Sequence, residues 1–497
     1  MHQLSGVGFI VAFGLFFEFF LNAAFYLGQA FHSVLCLFET VVGTGLGFEQ
    51  LGPCGLKCAV DGDAADLVAA CQRGNAFLFL RVGQPNGLAV VRGEAGVFVH
   101  VHVSVFSWKY CKQRYWFLQL NIMDINYFSI SSLILTGLFI FSLFVSSRLL
   151  GKMNLMDGEV ARRNSPLDGL RGVLASAVVV HHFYINYVMY TTGEWVRPTT
   201  QILNNFGAVS VSFFFLITGY LFFSKIQKGN ILWKQLYLSR VRRIVPLYLF
   251  VFVFIVSVTL YFRPLTLENL PEFFKWLRRW LLFLGGNFED FPSGIVIAGV
   301  NWTLTYEWGF YFSLPIWYVS WHRRLFSKWY IVLPLSLLVF LYIWKRTDYH
   351  VYLLFLLALP SVYFKERIRE ILDGKTILFD IFQITLLILV VVFSNGYTVI
   401  QMVGTAILFS FIANGYSYGE VLNNNGLRKL GEISYSIYLT HGIILYALRS
   451  YMHNTKMQIG INGFSLVFPI IFTLVILISI ITYRFIEYPF ICKRKSE

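Results

Sequence analysis

The chain has few charged residues: only 13% of its 497 residues are Asp, Glu, Lys or Arg, whereas 57% are hydrophobic. A soluble domain of this length does not need so much apolar surface, so the composition excludes an ordinary soluble protein. It is instead typical of a polytopic helical membrane protein, whose helices must present apolar side chains to lipid. The sequence therefore predicts an all-α integral membrane bundle.

Acidic residues are scarcer than basic ones, 26 against 40, and the formal net charge is +14. The basic residues concentrate between apolar runs rather than in one continuous patch. Cytoplasmic loops of membrane proteins carry this excess of Lys and Arg. The charge distribution thus favours a membrane topology with a lipid bilayer as partner, and no nucleic-acid partner is expected.

The composition of the chain changes near Met123: isoleucine is scarce before this residue, and cysteine is scarce after it. Residues 1–122 contain only two isoleucines, Ile10 and Ile122, but hold five of the six cysteines. Three interpretations remain open for this N-terminal extension: translation from a misassigned start, a disordered or additional hydrophobic domain, or a targeting segment. The apolar stretch at 6–31 lacks the basic region that opens a secretory signal.

Three cysteines of the extension, Cys54, Cys58 and Cys71, are close enough in sequence to raise the question of a metal site. Their spacing fits no established zinc pattern. We therefore expect no metal in this protein.

Beyond Met123 the chain contains eleven apolar runs that approach or reach the length of a membrane span. They lie at 127–150, 167–190, 207–226, 245–262, 302–320, 329–345, 350–364, 377–394, 397–413, 432–450 and 464–485. Most basic loops fall on one side if the helix that begins at 167 runs outward from the cytoplasm. This topology predicts about ten core helices after one additional helix, in the inner (cytoplasmic) membrane with a cytoplasmic C-terminus.

The segment 263–300 does not fit this topology, because its basic residues Lys275, Arg278 and Arg279 would lie outside. An outer loop and a re-entrant segment both remain open for it. The predicted organisation is an extension at 1–122, an extra helix and linker at 123–164, a membrane domain at 165–490 and a basic cytoplasmic tail at 491–497.

Arg171 and His182 lie within a run predicted to be in the bilayer, where ionisable residues are costly and usually functional. Eleven residues of helix turn the chain about 20° past three full turns, so the two residues share one face, roughly 16 Å apart. Ser165 and Pro166 are typical of a helix start, and Asp168 completes an S-x-x-D box. Asp168 is therefore a capping residue or a site residue.

Six short motifs resemble, in chain order, those of the membrane-bound acyltransferase-3 family, which includes polysaccharide O-acetyltransferases. The first is Leu167–Gly172 followed by His182, which resembles the family's Arg-x10-His signature. The others are 213–221, 240–246, 301–311, 433–441 and 484–490. In the second motif Thr218 and Tyr220 replace the family's Ser and Phe. No hydrolase-like domain follows the last run, so we expect the stand-alone form of the family.

The resemblance implies an acyl-CoA-dependent O-acyltransferase, with acetyl-CoA the usual donor and co-substrate. The phosphates of CoA call for arginines. Arg240 and Arg243 are expected to bind CoA. Arg171, which is expected to be catalytic together with His182 and Glu307, should lie close to them on the cytoplasmic side. The acceptor would be a hydroxyl of a cell-surface or lipid-linked carbohydrate.

His182 is the expected general base, although an acyl-histidine route would use the same residue. The topology predicts Glu307 at a similar depth, where its carboxylate would pair with the imidazole. His181 is turned about 100° away on the helix and is expected to pack. Weaker substrate contacts are expected from Asp168, His441, Trp302 and Tyr311.

A transporter or flippase is the alternative function. It would use His182, His441, Glu307 and Arg171 as an intramembrane relay. Such proteins often contain repeated halves with broken helices, and no convincing internal repeat is found here.

Overall fold

The computed structural model describes six strand segments between 58 and 106 and the ranges 129–153, 165–229, 231–322, 329–344 and 347–492. The rest of the N-terminal extension, the residues at 123–128, 154–164, 230, 323–328 and 345–346, and the basic tail at 493–497 lie outside the described residues. The chain divides into two units, one of Met1–Phe20 with Asp124–Glu497 and the other of Leu21–Met123.

The smaller unit contains antiparallel strands. They are β1 Cys58–Asp61, β2 Leu67–Arg73, β3 Ala76–Val82, β4 Val91–Gly93, β5 Gly96–Phe98 and β6 His102–Phe106. The first sheet has the order β1-β2-β3-β6, and β4 pairs with β5 in a second sheet.

The larger unit is built from α-helices. They are α1 Ile130–Lys152, α2 Pro166–Thr192, α3 Gln201–Lys228, α4 Trp233–Phe262, α5 Leu270–Leu281, α6 Trp302–His322, α7 Trp329–Trp344, α8 Leu353–Leu356, α9 Leu359–Tyr363, α10 Lys365–Asp373, α11 Ile377–Ile388, α12 Val399–Ala413, α13 Asn425–Glu432, α14 Ser434–Asn454, α15 Ile461–Ser465, α16 Phe468–Thr482 and α17 Tyr488–Cys492. Short 3₁₀ turns lie at Ser293–Ile297 and Tyr349–Tyr352, and π-helical turns at Leu389–Phe393 and Tyr483–Glu487.

Five stretches are long and apolar enough to cross a membrane: α1, α2, α3, α4 and the combined Ile461–Ile491. Shorter apolar stretches accompany them, among them α12. In the larger unit the predicted all-α membrane bundle is confirmed. The run predicted at 350–364 is not one helix but a 3₁₀ turn followed by α8 and α9, and Pro360, which has no backbone N–H to donate, stands in the first turn of α9.

Ser165 and Pro166 start α2 as predicted, whereas the Asp168 carboxylate, predicted to complete a capping box, lies 3.9 Å from Arg171. The Ser165 side chain accepts a hydrogen bond from the Leu167 amide, and Pro166 occupies the first turn. The helix ends at Gly193, whose φ of 77° is left-handed and favours glycine. These caps fix the 27-residue length of the helix that carries Arg171 and His182.

The segment 263–300 combines a surface helix with a buried turn. In the amphipathic α5 the basic side chains are exposed, while Trp276 and Trp280 are buried and donate their indole N–H groups to the Gly286 carbonyl. A two-fold hydrogen-bonded ion pair joins Arg263 to Asp290 at 2.5 and 2.6 Å, and these hydrogen bonds lower the pKa of the Asp290 carboxyl.

The 3₁₀ turn at Ser293–Ile297 then enters the bundle. The Ser293 hydroxyl meets that of Thr259 on α4 at 3.1 Å, and Ile297 is fully buried. Gly442 on α14 packs directly on its backbone. Because the turn is buried, the residues that lead into α6, such as Val300, lie inside the bundle rather than in a distant surface loop.

The contact between Gly442 and the buried turn leaves no room for a side chain. A Cβ at position 442 would lie 2.2 Å from the Ile297 carbonyl carbon. We expect Gly442→Ala to destabilise the protein by about 1–3 kcal/mol, because backbone atoms cannot move aside as a flexible side chain can. Thermal unfolding of the detergent-purified protein measures this.

Gly460→Ala is the matched control, because a Cβ there meets nothing within 4 Å. The two variants should differ clearly in midpoint temperature. Equal midpoints would contradict the close packing of α14 on the buried turn.

Candidate active site

A cavity of about 110 Å³ lies among α2, α3, α4, α6 and α14. Its polar walls are formed by Arg171, Arg240, Arg243, Glu307, Thr218, Thr303, Tyr311, Ser434, Tyr435 and Tyr438. The remaining lining residues are apolar, from α3, α4 and α6.

Three arginines converge on this cavity from two helices. Arg171 donates to the Ser434 hydroxyl at 3.1 Å and lies 3.9 Å from a carboxylate oxygen of Asp168. Arg240 and Arg243 are one turn apart on α4, and the guanidinium of Arg240 lies 5.3 Å from the centre of the Phe222 ring. The structure thus brings Arg171 to the pair, as the sequence predicted.

One arginine donor in the cavity is unused. Arg240 Nε is buried, and no described residue accepts its hydrogen bond. An unpaired buried donor is costly unless a ligand completes it. With three guanidinium groups and the single carboxylate of Glu307 in the wall, the cavity is suited to an anionic ligand.

Glu307 lies in the second turn of α6, where Tyr311 donates to its carboxylate at 2.8 Å. It lines the same cavity as Arg171. The predicted pairing of Glu307 with His182 is wrong, because the two residues have different partners. The reason is the buried turn before α6, which sets Glu307 beside the arginines.

Of the other three residues expected to contact the substrate from α2 and α6, only one lines the cavity. Tyr311 lines the cavity, whereas Trp302 is 37% exposed and packs edge-on against Phe215 and Tyr306. Asp168 faces Arg171. Trp302 and Asp168 are not among the residues that line the cavity.

His182 is paired with His441, a residue that is 259 positions away in sequence and completely buried. Nε2 of His441 lies 3.0 Å from Nδ1 of His182, and Nδ1 of His441 lies 3.0 Å from the Ile437 carbonyl oxygen. The two helices, α2 and α14, run parallel, since Arg171 meets Ser434 at one end and Tyr190 meets Met452 at the other.

These contacts fix the tautomers of both neutral rings. A carbonyl oxygen can only accept, so His441 must carry its proton on Nδ1 and its Nε2 must be an acceptor. His182 then donates through Nδ1, and its own Nε2 is left without a proton. An imidazole held in this tautomer has a lone pair ready to accept a proton, which is the requirement for a general base.

The neighbours of His182 are aromatic. The Trp195 ring stacks 6.2 Å from it, and the His181 ring lies 4.9 Å away, edge-on. His181 itself contacts the Leu203 carbonyl through Nδ1 at 2.8 Å, and its ring lies against Gly207. His181 therefore packs α2 against α3.

Tyr438 connects the cavity to the histidine pair. It lines the cavity, its hydroxyl meets that of Thr303 at 2.9 Å, and its ring lies 6.3 Å from His441. Ser434, Tyr438 and His441 are spaced four and three residues apart, which places them on one helix face. The sequence reasoning missed Ser434 and Tyr438, although this spacing was available as a signal.

The family model described as an acyltransferase domain, that of the acyltransferase-3 family, matches residues 164–484. The chain belongs to this family. Relatives of the acyltransferase-3 chain include the peptidoglycan O-acetyltransferase OatA of Listeria monocytogenes, 24% identical in a 365-residue alignment that covers 65% of this chain and 55% of that protein.

Two further relatives are bacterial as well. A candidate O-acetyltransferase of Staphylococcus aureus is 22% identical in a 364-residue alignment that covers 65% of this chain and 56% of the relative. A candidate peptidoglycan O-acetyltransferase of Bacillus subtilis is 25% identical in a 366-residue alignment that covers 65% of this chain and 54% of the relative. The chain spans about half the length of these relatives. No solved structure matches it.

The motifs of this acyltransferase-3 chain converge in space. Five of the six supply side chains to the cavity, and the fifth also carries His441. The sixth, at 484–490, supports α14 from behind, because the buried Glu487 accepts a hydrogen bond from Ser436. Among the described residues, no three His, Cys, Asp or Glu side chains form a group that could hold a metal ion.

Proposed function

We propose that this chain is an inner-membrane O-acyltransferase. It transfers an acyl group, acetyl in the usual case, from cytoplasmic acyl-CoA to a hydroxyl of a cell-surface or lipid-linked carbohydrate. One observation carries the proposal: an arginine-lined cavity ends one helical turn from a histidine pair whose geometry leaves Nε2 of His182 free. The names of the relatives support a carbohydrate acceptor.

The cavity would bind the donor. CoA carries phosphates, and guanidinium groups match phosphate oxygens with paired donors. Arg240 and Arg243 would hold these phosphates, and the buried Arg240 Nε would gain the acceptor it lacks. Arg171, anchored by Ser434, would add a third positive charge. A cytoplasmic donor requires this end of the bundle, and with it the C-terminus, to face the cytoplasm.

His182 would act as the general base. Its Nε2 would take the proton of the acceptor hydroxyl as that oxygen attacks the thioester carbonyl carbon. When the C–S bond breaks, the imidazolium would return the proton to the CoA thiolate, so the acyl group ends on the acceptor and free CoA leaves. His441 would be a positioning residue, since it holds the tautomer through Nδ1 of His182. An acyl-histidine route would use the same nitrogen.

The test is acetyl transfer by the purified full chain. The protein is incubated with radiolabelled acetyl-CoA and soluble peptidoglycan fragments, and alkali-labile label on the sugar is counted. We expect label on the sugar together with stoichiometric release of CoA. Neither label nor CoA release, combined with sugar movement across proteoliposomes, would refute the enzyme and favour the transporter.

A further inference from the structure

Arg449 is a buried cation on the far side of the histidine pair from the three cavity arginines. It lies on α14 and is only 5% exposed. Buried charges in a membrane protein are costly and normally have a partner of opposite charge. Within the described part of the chain, no carboxylate forms an ion pair with Arg449.

The contacts of Arg449 leave donors unused. Its Nη1 donates to Asn186 Oδ1 at 3.1 Å and contacts the Met189 sulfur at 3.2 Å, while its guanidinium lies over the Tyr446 ring. A guanidinium carries five N–H donors. The Nε and Nη2 donors form no hydrogen bond with the described residues.

Asn186 adds a further unused hydrogen-bond donor beside those of Arg449. The residue is 1% exposed, its Oδ1 is taken by Arg449, and its buried Nδ2 has no partner among the described residues. A positive charge and free N–H groups thus lie together without an acceptor. This is the chemistry that binds an oxyanion, since charge-assisted hydrogen bonds to carboxylate or phosphate are the strong ones.

The position relative to His182 suggests what the anion belongs to. Asn186 follows His182 by one turn of α2, a rise of about 6 Å, and Arg449 follows His441 by about 12 Å on the parallel α14. The cavity arginines lie at the opposite end of this α2–α14 seam. A rise of one helical turn is comparable to the width of one sugar ring.

We propose that Arg449 and Asn186 bind an anionic group of the acceptor, a carboxylate or phosphate on the sugar that presents its hydroxyl to His182. This inference rests on the proposed function, because it names the class of acceptor: an anionic rather than a neutral carbohydrate. The guanidinium would hold two oxygens of the anion, and the Asn186 amide would donate to one of them.

Equilibrium binding to the full chain tests the proposal without requiring catalysis. In a nonionic, phosphate-free detergent and without acetyl-CoA, calorimetry compares N-acetylmuramic acid, N-acetylglucosamine 1-phosphate and neutral N-acetylglucosamine. We expect at least one anionic probe to bind about 10-fold or more tightly than the neutral one. The anionic probe that is preferred identifies carboxylate or phosphate as the source.

Two variants locate the effect. Arg449→Gln removes the cation, and Asn186→Asp supplies an internal carboxylate to the same guanidinium. Both should abolish the preference for the anionic probe, and Asn186→Asp should fold because it adds an ion pair at the Arg449 contact. Lys456→Gln, which removes an exposed cation, should retain the preference.

Equal binding of all three probes by the wild-type protein would overturn the proposal. A preference that survives in folded Asn186→Asp and Arg449→Gln would also overturn it. The experiments distinguish a failure of this proposal from a failure of the proposed function. Acetyl transfer with no anion preference refutes only the acceptor class, whereas anion binding without acetyl transfer refutes only the enzyme.

Discussion

Replacing His182 by alanine should lower acetyl transfer by about 10²- to 10⁴-fold, the usual contribution of a positioned general base. The affinity for acetyl-CoA should stay unchanged, because the arginines that line the cavity lie on other turns of the bundle. Radiolabelled acetyl transfer and donor binding, measured on the same purified protein, give the two quantities. Full transfer by His182→Ala would refute the assignment of the base.

Variants of His441 show whether the tautomer matters. His441→Gln retains an amide oxygen that can accept from Nδ1 of His182, whereas His441→Leu removes every acceptor at that position. We therefore expect His441→Gln to retain more activity than His441→Leu, with the difference in kcat rather than in the KM for acetyl-CoA. Equal activity of the two variants would mean that the 3.0 Å contact does not hold the base.

The double variant Arg240→Gln with Arg243→Gln should weaken acetyl-CoA binding by about 100-fold or more. Each lost charge-assisted hydrogen bond to phosphate contributes about 1.5–3 kcal/mol. Equilibrium binding of acetyl-CoA to the purified chain measures the change. Transfer at saturating donor should fall much less, since neither arginine contacts the histidine pair.

Two controls make this prediction specific. S-acetylpantetheine lacks the nucleotide phosphates, so its binding should not respond to the double variant. Arg242→Gln removes a neighbouring cation that does not line the cavity, and it should leave acetyl-CoA binding unchanged. An equal loss for both donors would mean that the two arginines shape the cavity rather than bind phosphate.

The features that could be predicted from the sequence are those that depend on a single helix or a single motif. The shared face of Arg171 and His182 follows from helical periodicity, and the cap at Ser165 from its residue type. The convergence of Arg171 with Arg240 and Arg243 was predicted from the position of their loops relative to the membrane.

The prediction that failed, the pairing of Glu307 with His182, depends on the depth in the membrane at which α6 begins. Counting residues from the predicted outer end of α6 places Glu307 at the level of His182. The turn at Ser293–Ile297 is buried, and hydropathy cannot distinguish a segment buried in protein from a surface loop. The depth of a residue counted from a predicted helix end is only as accurate as that end. Here the error in the depth at which α6 starts led to Glu307, rather than His441, being predicted as the partner of His182.

The anion site at Arg449 was missed for a related reason. Arg449 and Asn186 belong to none of the six motifs, and an arginine near a helix end is usually taken for an interfacial residue. Only the packing of α2 on α14 shows that the side chain is buried and faces Asn186. Contacts between residues 263 positions apart cannot be read from local spacing.

The partner of His182 is a neutral ring rather than a carboxylate, and this has an electrical consequence. Under the proposed mechanism, the acyl group moves outward as the equivalent of a cation, while the proton of the acceptor moves inward through His182 to the thiolate. Each displacement carries one positive charge and the two run in opposite directions, so they cancel, and no fixed anion at the pair retains the proton. Moving one charge across the bilayer costs about 2.3 kcal/mol per 100 mV. The balanced exchange avoids this cost, so the turnover rate should be the same in energised and de-energised vesicles.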